Sequence, residues 1–194
     1  VAATLVAPID EQLSQLCAAV PYTSSATVTL AYPRATVKHA LHGTGFVVPR
    51  AEQGLSVTAG TWVSSKWPGR APNGQVLMRG FVGGARDPDA LDRSDSELVA
   101  GVHRDLSKLL GMTSQPTLAR VYRWVRANPQ HEVGHLERLA EIDARLTKLS
   151  GLHLTGAAFR GVGIPDCVAA GLATGASAAK HVRANRQVHK SQSA

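Results

Sequence analysis

Two cysteines, Cys17 and Cys167, are all that 194 residues contain. They are too few and too distant for a disulfide framework or a thiolate metal site, which fits a reducing cytosol. Nowhere does an apolar run approach the roughly 18 to 20 residues that span a bilayer. No basic stretch followed by an apolar core and a cleavage site opens the chain, so nothing indicates export. The expectation is a cytoplasmic protein, soluble or peripheral to a membrane. Acidic residues are also scarce: 14 Asp and Glu stand against 21 Lys and Arg, a formal charge of +7. That balance favours anionic partners such as nucleic acid, acidic lipid or a polycarboxylate. Part of the excess (Lys180, Arg183, Arg186 and Lys190) lies in a polar C-terminal tail and reads as a solvated, frayed end.

What is present alternates between two periods. VAATLVAP, at the start, reads as a buried strand beginning mid-fold, as if an N-terminal part preceded it. Pro8, Asp10 and Glu11 then open a helix with a stripe at Leu13, Leu16 and Val20. From Ala26 to Pro33 the period is two, with Val28, Leu30 and Tyr32 on one face and Thr27 and Thr29 on the other. Further strands are expected over 44–48, 55–59 and 75–82, giving a largely antiparallel sheet with a polar loop at 64–74. Ser94 and Glu97 stand in capping-box spacing and Gly111 offers a stop, so a helix lies between them with Leu98, Val102, Leu106, Leu109 and Leu110 on one face. A strand from Thr117 to Val125 ends at Asn128-Pro129. Leu136, Leu139, Ile142, Leu146 and Leu149 place another helix between Gly134 and Gly151.

The stretch from Leu152 to Cys167, LHLTGAAFRGVGIPDC, then reads as a short strand, a glycine-dense turn at Gly161 and Gly163, and a helix opening at Ile164-Pro165-Asp166. Glycine allows close backbone approach to a ligand, and a helix start exposes N–H groups and positive potential. On spacing alone an ordinary strand-to-helix turn is the stronger reading.

Other patterns carry less. His131-Glu132-Val133-Gly134-His135 has the bare H-E-x-x-H spelling of a helical zinc protease, but Pro129 and Gly134 place the helix start at or after Gly134, and a connecting loop is expected. Gly161-Val162-Gly163 meets Asp166 where a dinucleotide fingerprint wants its third glycine. There is no phosphate loop and no G-x-S-x-G elbow. Trp62 and Trp67 read as core or loop anchors. Lys66, Arg70 and Arg79 are cations that could meet carboxylates.

The ordered set TGFVVPR, TAGTWVSSKWPGRAP, VLMRGFVGGARD, VYRWVRANPQHEVGHLERL and LTGAAFRGVGIPDCVAAG resembles the C-terminal part of the FAD-dependent protoporphyrinogen or coproporphyrinogen oxidases of haem biosynthesis. These belong to the amine-oxidase-like flavoproteins, and the resemblance runs from about Leu5 to Ala179. It departs at His131, where that family commonly has Tyr. The resemblance implies an α+β flavoprotein portion. Residues 1–150 would form part of a substrate-binding domain with a mixed, largely antiparallel sheet. Residues 151–180, a strand and a helix, would return into the FAD-binding domain, and 181–194 would be a disordered basic tail.

By the same resemblance Trp124 lies near the flavin, Gly161, Val162 and Gly163 contact FAD, and Ile164 and Pro165 follow at that corner; no catalytic residue and no metal ligand is assigned. The implied partners are a porphyrinogen substrate, an N-terminal FAD-binding portion, a peripheral membrane contact and a homodimer, but not nucleic acid. The implied reaction is oxidation of coproporphyrinogen III or protoporphyrinogen IX by repeated two-electron removal, with oxygen as acceptor. Another amine-oxidase-like flavoenzyme, or a binding module without redox function, remains an alternative reading. Without the ADP-binding half, the chain is expected to hold FAD poorly.

Overall fold

The structure is a computed structural model that describes residues 1–192, the side chains of 186–192 excepted. The chain divides into two compact units, Thr23–Asn128 and the pair of segments Val1–Tyr22 with Pro129–Ala194. This differs from a division at residue 150: the N-terminal 22 residues join the C-terminal segment, and residues 129–150 go with them rather than with the sheet.

The central unit is a five-stranded sheet built from β1 (Tyr22–Pro33), β2 (Gly45–Val47), β3 (Val57–Trp62), β4 (Gln75–Gly83) and β5 (Leu118–Pro129), in the order β2-β3-β4-β1-β5. β1 with β4, β4 with β3 and β3 with β2 pair antiparallel. Period-two alternation in β1 sends Ala26, Val28, Leu30 and Tyr32 to one face, all fully buried. Val76, Met78 and Val82 of β4 join them there. Helix α4 (Asp95–Leu110) covers this face with Leu98, Val102, Leu106 and Leu110. Its capping box at Ser94 and Glu97 and its left-handed stop at Gly111 form as expected, whereas Leu109 points to solvent. A Cβ on Gly80 would come within 2.5 Å of Val102 Cγ1, so a residue with no side chain is what lets α4 settle on the sheet.

β3 begins two residues later than the hydrophobic pattern suggests. The amides of Ser56 and Val57 are claimed by the buried carboxylate of Asp105 on α4, and a bulge follows between Val57 and Ala59. The 64–74 loop also carries a short helix, α3 (Val63–Lys66).

The other unit contains α1 (Ala2–Val6), α2 (Glu11–Ala18), α5 (His135–Leu146) and α6 (Ile164–Gln192). Val6, Leu13 and Cys17 pack with Leu139, Ile142 and Phe159. Three sequence expectations change here. The opening VAATLVAP is helical rather than extended: Ala2, Ala3 and Leu5 are strong helix formers, and Val6 alone need be buried. Leu152 to Thr155 form no strand. Leu152 and Leu154 are half-buried against the helical cluster, and the Leu152 amide closes a turn on the Leu149 carbonyl, so no ladder is made. Finally, α6 does not stop near residue 180 but continues to Gln192, so the tail expected to be disordered is helical to that point. Ser193 and Ala194 lie outside the described residues.

Candidate functional site

The face of the sheet away from α4 is where chemistry can happen. Because alternation places even positions of β1 and β4 in the core, the odd ones stand on the opposite face. Ser25, Thr27, Thr29 and Ala31 of β1, and Gln75, Leu77, Arg79 and Phe81 of β4, line a cleft of about 1040 Å³ there. β5 adds Leu118, Arg120, Tyr122, Trp124 and Asn128, and the loop before β4 adds Arg70, Ala71 and Pro72. The volume is at the upper end of the roughly 300 to 1,000 Å³ of small-molecule sites.

The cleft has two unlike ends. Thr27 lies opposite Phe81 across the β1–β4 ladder, and the Trp124 indole N–H donates to the Thr27 hydroxyl at 3.4 Å, so two aromatic rings flank one short side chain. Two residues along, Thr29 lies opposite Arg79, and beyond it Ala31 lies opposite Leu77. Arg70 and Arg120 stand with Arg79 as the cations of the lining, and no lining residue is acidic. Among the described residues, Arg70 and Arg79 have no ion-pair partner, and Arg120 only caps the carbonyl of Ala119 at 2.8 Å. The result is an apolar-floored cleft that carries positive charge without internal compensation.

Of the cations singled out in the sequence, Arg70 and Arg79 line this cleft. Lys66 does not; its ammonium lies 4.6 Å from the ring centroid of Trp67. Arg120 escaped sequence reasoning. The signal was available in VYRWVRANP and the residues before it: on the period-two pattern Arg120 shares a face with Tyr122 and Trp124. Trp124 itself is half-exposed, at 51%.

The glycine corner belongs to the other unit, so Trp124 and Gly161–Pro165 stand on separate bodies. Gly161 takes a left-handed φ of 73°, and a Cβ there would run into the Asp166 side chain, with Asp166 Cγ 3.0 Å away. A Cβ on Gly163 would lie 2.8 Å from Asp166 Oδ2. Gly161 is therefore required by its φ and by the Asp166 Cβ beneath it, whereas at Gly163 only the rotatable end of the Asp166 carboxylate would have to move. Gly163 accepts from the Cys167 amide at 2.9 Å, and the Cys167 thiol lies 3.5 Å from the Gly161 carbonyl oxygen. Val162, Ile164 and Pro165 are exposed. Pro165 carries no N–H and Asp166 places a carboxylate at the corner, so the positive potential expected of a helix start is reduced here.

The H-E-x-x-H spelling does not put both imidazoles on one helical face, because α5 starts at His135 after Gly134 in a left-handed conformation. The two rings instead stack at 4.0 Å, and each Nε2 meets a carbonyl, that of Ala157 for His131 and that of Phe159 for His135.

The comparisons agree with this architecture. The profile of the family described as "Flavin containing amine oxidoreductase" matches residues 1–178. A coproporphyrinogen III oxidase of Bacillus subtilis is 41% identical over 152 residues, covering 78% of this chain and 32% of that protein. A chloroplastic protoporphyrinogen oxidase of Nicotiana tabacum is 33% identical over 178 residues, covering 87% of this chain and 32% of that protein. The chain thus spans about a third of the length of these relatives. A crystal structure named "Putative protoporphyrinogen oxidase", from Exiguobacterium sp. 255-15, superposes with a TM-score of 0.71 at 33% identity, over 88% of this chain and 38% of that one.

Proposed function

This chain belongs to the flavin containing amine oxidoreductases, and on that footing we propose that it is the substrate-binding and C-terminal portion of an FAD-dependent porphyrinogen oxidase of haem biosynthesis. The reaction is oxidation of coproporphyrinogen III or protoporphyrinogen IX to the porphyrin with oxygen as acceptor. The observation that carries the reading is the cleft: a flat sheet face, aromatic at one end and guanidinium-lined at the other, suits a large apolar macrocycle with carboxylate arms.

In this reading Leu77, Phe81, Leu118, Tyr122 and Trp124 shield the macrocycle from water, and the arginines hold its propionates by charge-assisted hydrogen bonds. No side chain in the cleft is assigned as acid or base. The residues proposed to contact the cofactor are Gly161, Val162, Gly163, Ile164 and Pro165 of one unit and, by the family resemblance, Trp124 of the other. Their chemistry fits a neutral ring better than a phosphate: the Asp166 side chain lies over Gly161 and Gly163 and its carboxylate would repel an anion, while the first-turn amides of Ile164 and Asp166 have no acceptor within the helix. When bound, FAD supplies a two-electron acceptor that oxygen regenerates with release of hydrogen peroxide.

The same proposal assigns the protein to the cytoplasm, with a peripheral membrane contact and a homodimer. No helix among the described residues is long and apolar enough to cross a membrane. The test uses the complete gene product loaded with FAD. Anaerobic addition of coproporphyrinogen III or protoporphyrinogen IX should bleach the flavin and, on admitting air, yield the porphyrin. A flavin that neither substrate reduces would overturn the proposal.

A further inference from the structure

The three arginines do not surround the cleft evenly. Arg79 sits beside Thr29, in the middle of β4. Arg70 belongs to the loop that returns into β4 at Gln75, beside Ala71 and Pro72 at the rim. Arg120 lies on β5 two residues beyond Leu118, at the end of that strand remote from Trp124 and Asn128. Phe81, Tyr122 and Trp124 occupy the opposite end. The polarity of the cleft is therefore written along the strands, with cations towards the Gln75 end of β4 and aromatic rings towards its C-terminal end.

Uncompensated guanidiniums in a pocket without carboxylates favour ligands in proportion to the negative charge they present. Other families of contact would not use them so: a neutral macrocycle would leave three cations facing apolar carbon. We infer that Arg70, Arg79 and Arg120 read the number of carboxylates on the substrate, selecting a tetrapyrrole with four propionates over one with two. The inference rests on the porphyrinogen reading given above and adds to it both a choice of substrate and an orientation. The carboxylate-rich edge lies over Arg79, Arg70 and Arg120, and the remaining rings lie against Phe81, Tyr122 and Trp124.

The test needs neither turnover nor cofactor. Coproporphyrin III and protoporphyrin IX are air-stable and carry the same propionates as their reduced forms, four and two. Their binding to the complete gene product is followed by porphyrin fluorescence, with coproporphyrin III tetramethyl ester as a probe of equal ring and no charge. The expected result is at least roughly tenfold tighter binding of coproporphyrin III than of its ester, about one decade in Kd, with protoporphyrin IX between them. Raising salt from about 0.01 to about 1 M should narrow the gap between coproporphyrin and ester, because it shortens the screening length from about 30 to about 3 Å.

Arg79→Met and Arg120→Met should each weaken coproporphyrin III several-fold while leaving the ester within about twofold. Arg79→Lys should restore part of the loss, and circular dichroism of each variant checks that it is folded. Equal affinity for coproporphyrin III and its ester would overturn the inference, as would a preference that survives both Met variants. If the complete gene product bound none of the three tetrapyrroles, the sheet face would not be a porphyrin site and the functional reading of the cleft would fall with it.

Discussion

The Asp105 carboxylate, 2% exposed on α4, accepts from both the amide and the hydroxyl of Ser56, each at 2.6 Å. The Val57 amide reaches the same oxygen at 3.2 Å. One side chain thus decides where β3 begins and fixes the helix to the sheet whose far face is the cleft. Asp105→Ala would leave the Val57 amide and Ser56 groups short of an acceptor in a place water reaches poorly. A loss of about 3 kcal/mol in unfolding free energy is expected, against about 1 kcal/mol for Ser56→Ala, which removes only the hydroxyl. Urea denaturation of the two variants checks the ranking.

A second pin joins the same helix to β1. The buried Tyr32 hydroxyl shares a hydrogen bond with His103 Nδ1 at 2.9 Å, and the rings stack with centroids 5.8 Å apart. Burial pushes the Tyr32 phenol up and the His103 imidazole below its ordinary 6.5. The unfolded chain therefore takes up a proton at this histidine before the folded one does. Stability from this pair is complete above pH 6.5, falls as the pH drops below that value, and levels off beneath the folded pKa. Denaturation midpoints measured across that range should show the fall in wild type, and His103→Gln should flatten it.

Arg126 holds a left-handed φ of 45° inside β5, and its amide donates to the Ser24 hydroxyl at 2.9 Å. A non-glycine residue is strained there by about 1 to 2 kcal/mol, and glycine gives back part of the gain as chain entropy. Arg126→Gly is therefore expected to stabilise the protein by about 0.5 to 1 kcal/mol. A lower melting temperature for the variant would mean that the guanidinium makes up for the strain.

In the helical unit, Asp10 caps α2 through the Leu13 amide at 2.9 Å and accepts both oxygens' worth of contact from Arg145 of α5, at 2.8 and 2.7 Å. The cap and then the guanidinium hold its carboxyl below the usual 3.8. Its contribution is present above that value and is lost as the pH falls through the lower folded pKa. Asp10→Asn keeps the cap and loses the ion pair, so it should melt between wild type and Asp10→Ala.

How much of this could be read in the sequence follows from which interactions are local. Val28-Leu30-Tyr32 against Thr27-Thr29, and the Ser94–Glu97 box with Gly111, depend on residues close in the chain, and they form as the pattern suggests. The start of β3 depends on Asp105, 49 residues away from Ser56, and no period records that. VAATLVAP and LHLT are short apolar runs whose period cannot separate helix, strand and turn; the packing of Val6 and Leu154 with the helical cluster decided them. In the cleft, Arg70 and Arg79 were visible as charges beside apolar runs. The period puts Arg120 on the face of Tyr122 and Trp124, but that this face borders the cleft depends on β5 lying beside β1.

The most direct measurement of the central claim, that the odd face of this sheet receives a tetrapyrrole, is tryptophan fluorescence during titration with coproporphyrin III. Trp62 is buried in the core and Trp67 lies outside the cleft lining, so Trp124 is the reporter. Saturable quenching is expected in wild type, with most of it lost in Trp124→Phe while the porphyrin's own fluorescence still reports binding. Absence of saturable quenching, or quenching that Trp124→Phe leaves unchanged, would contradict the account.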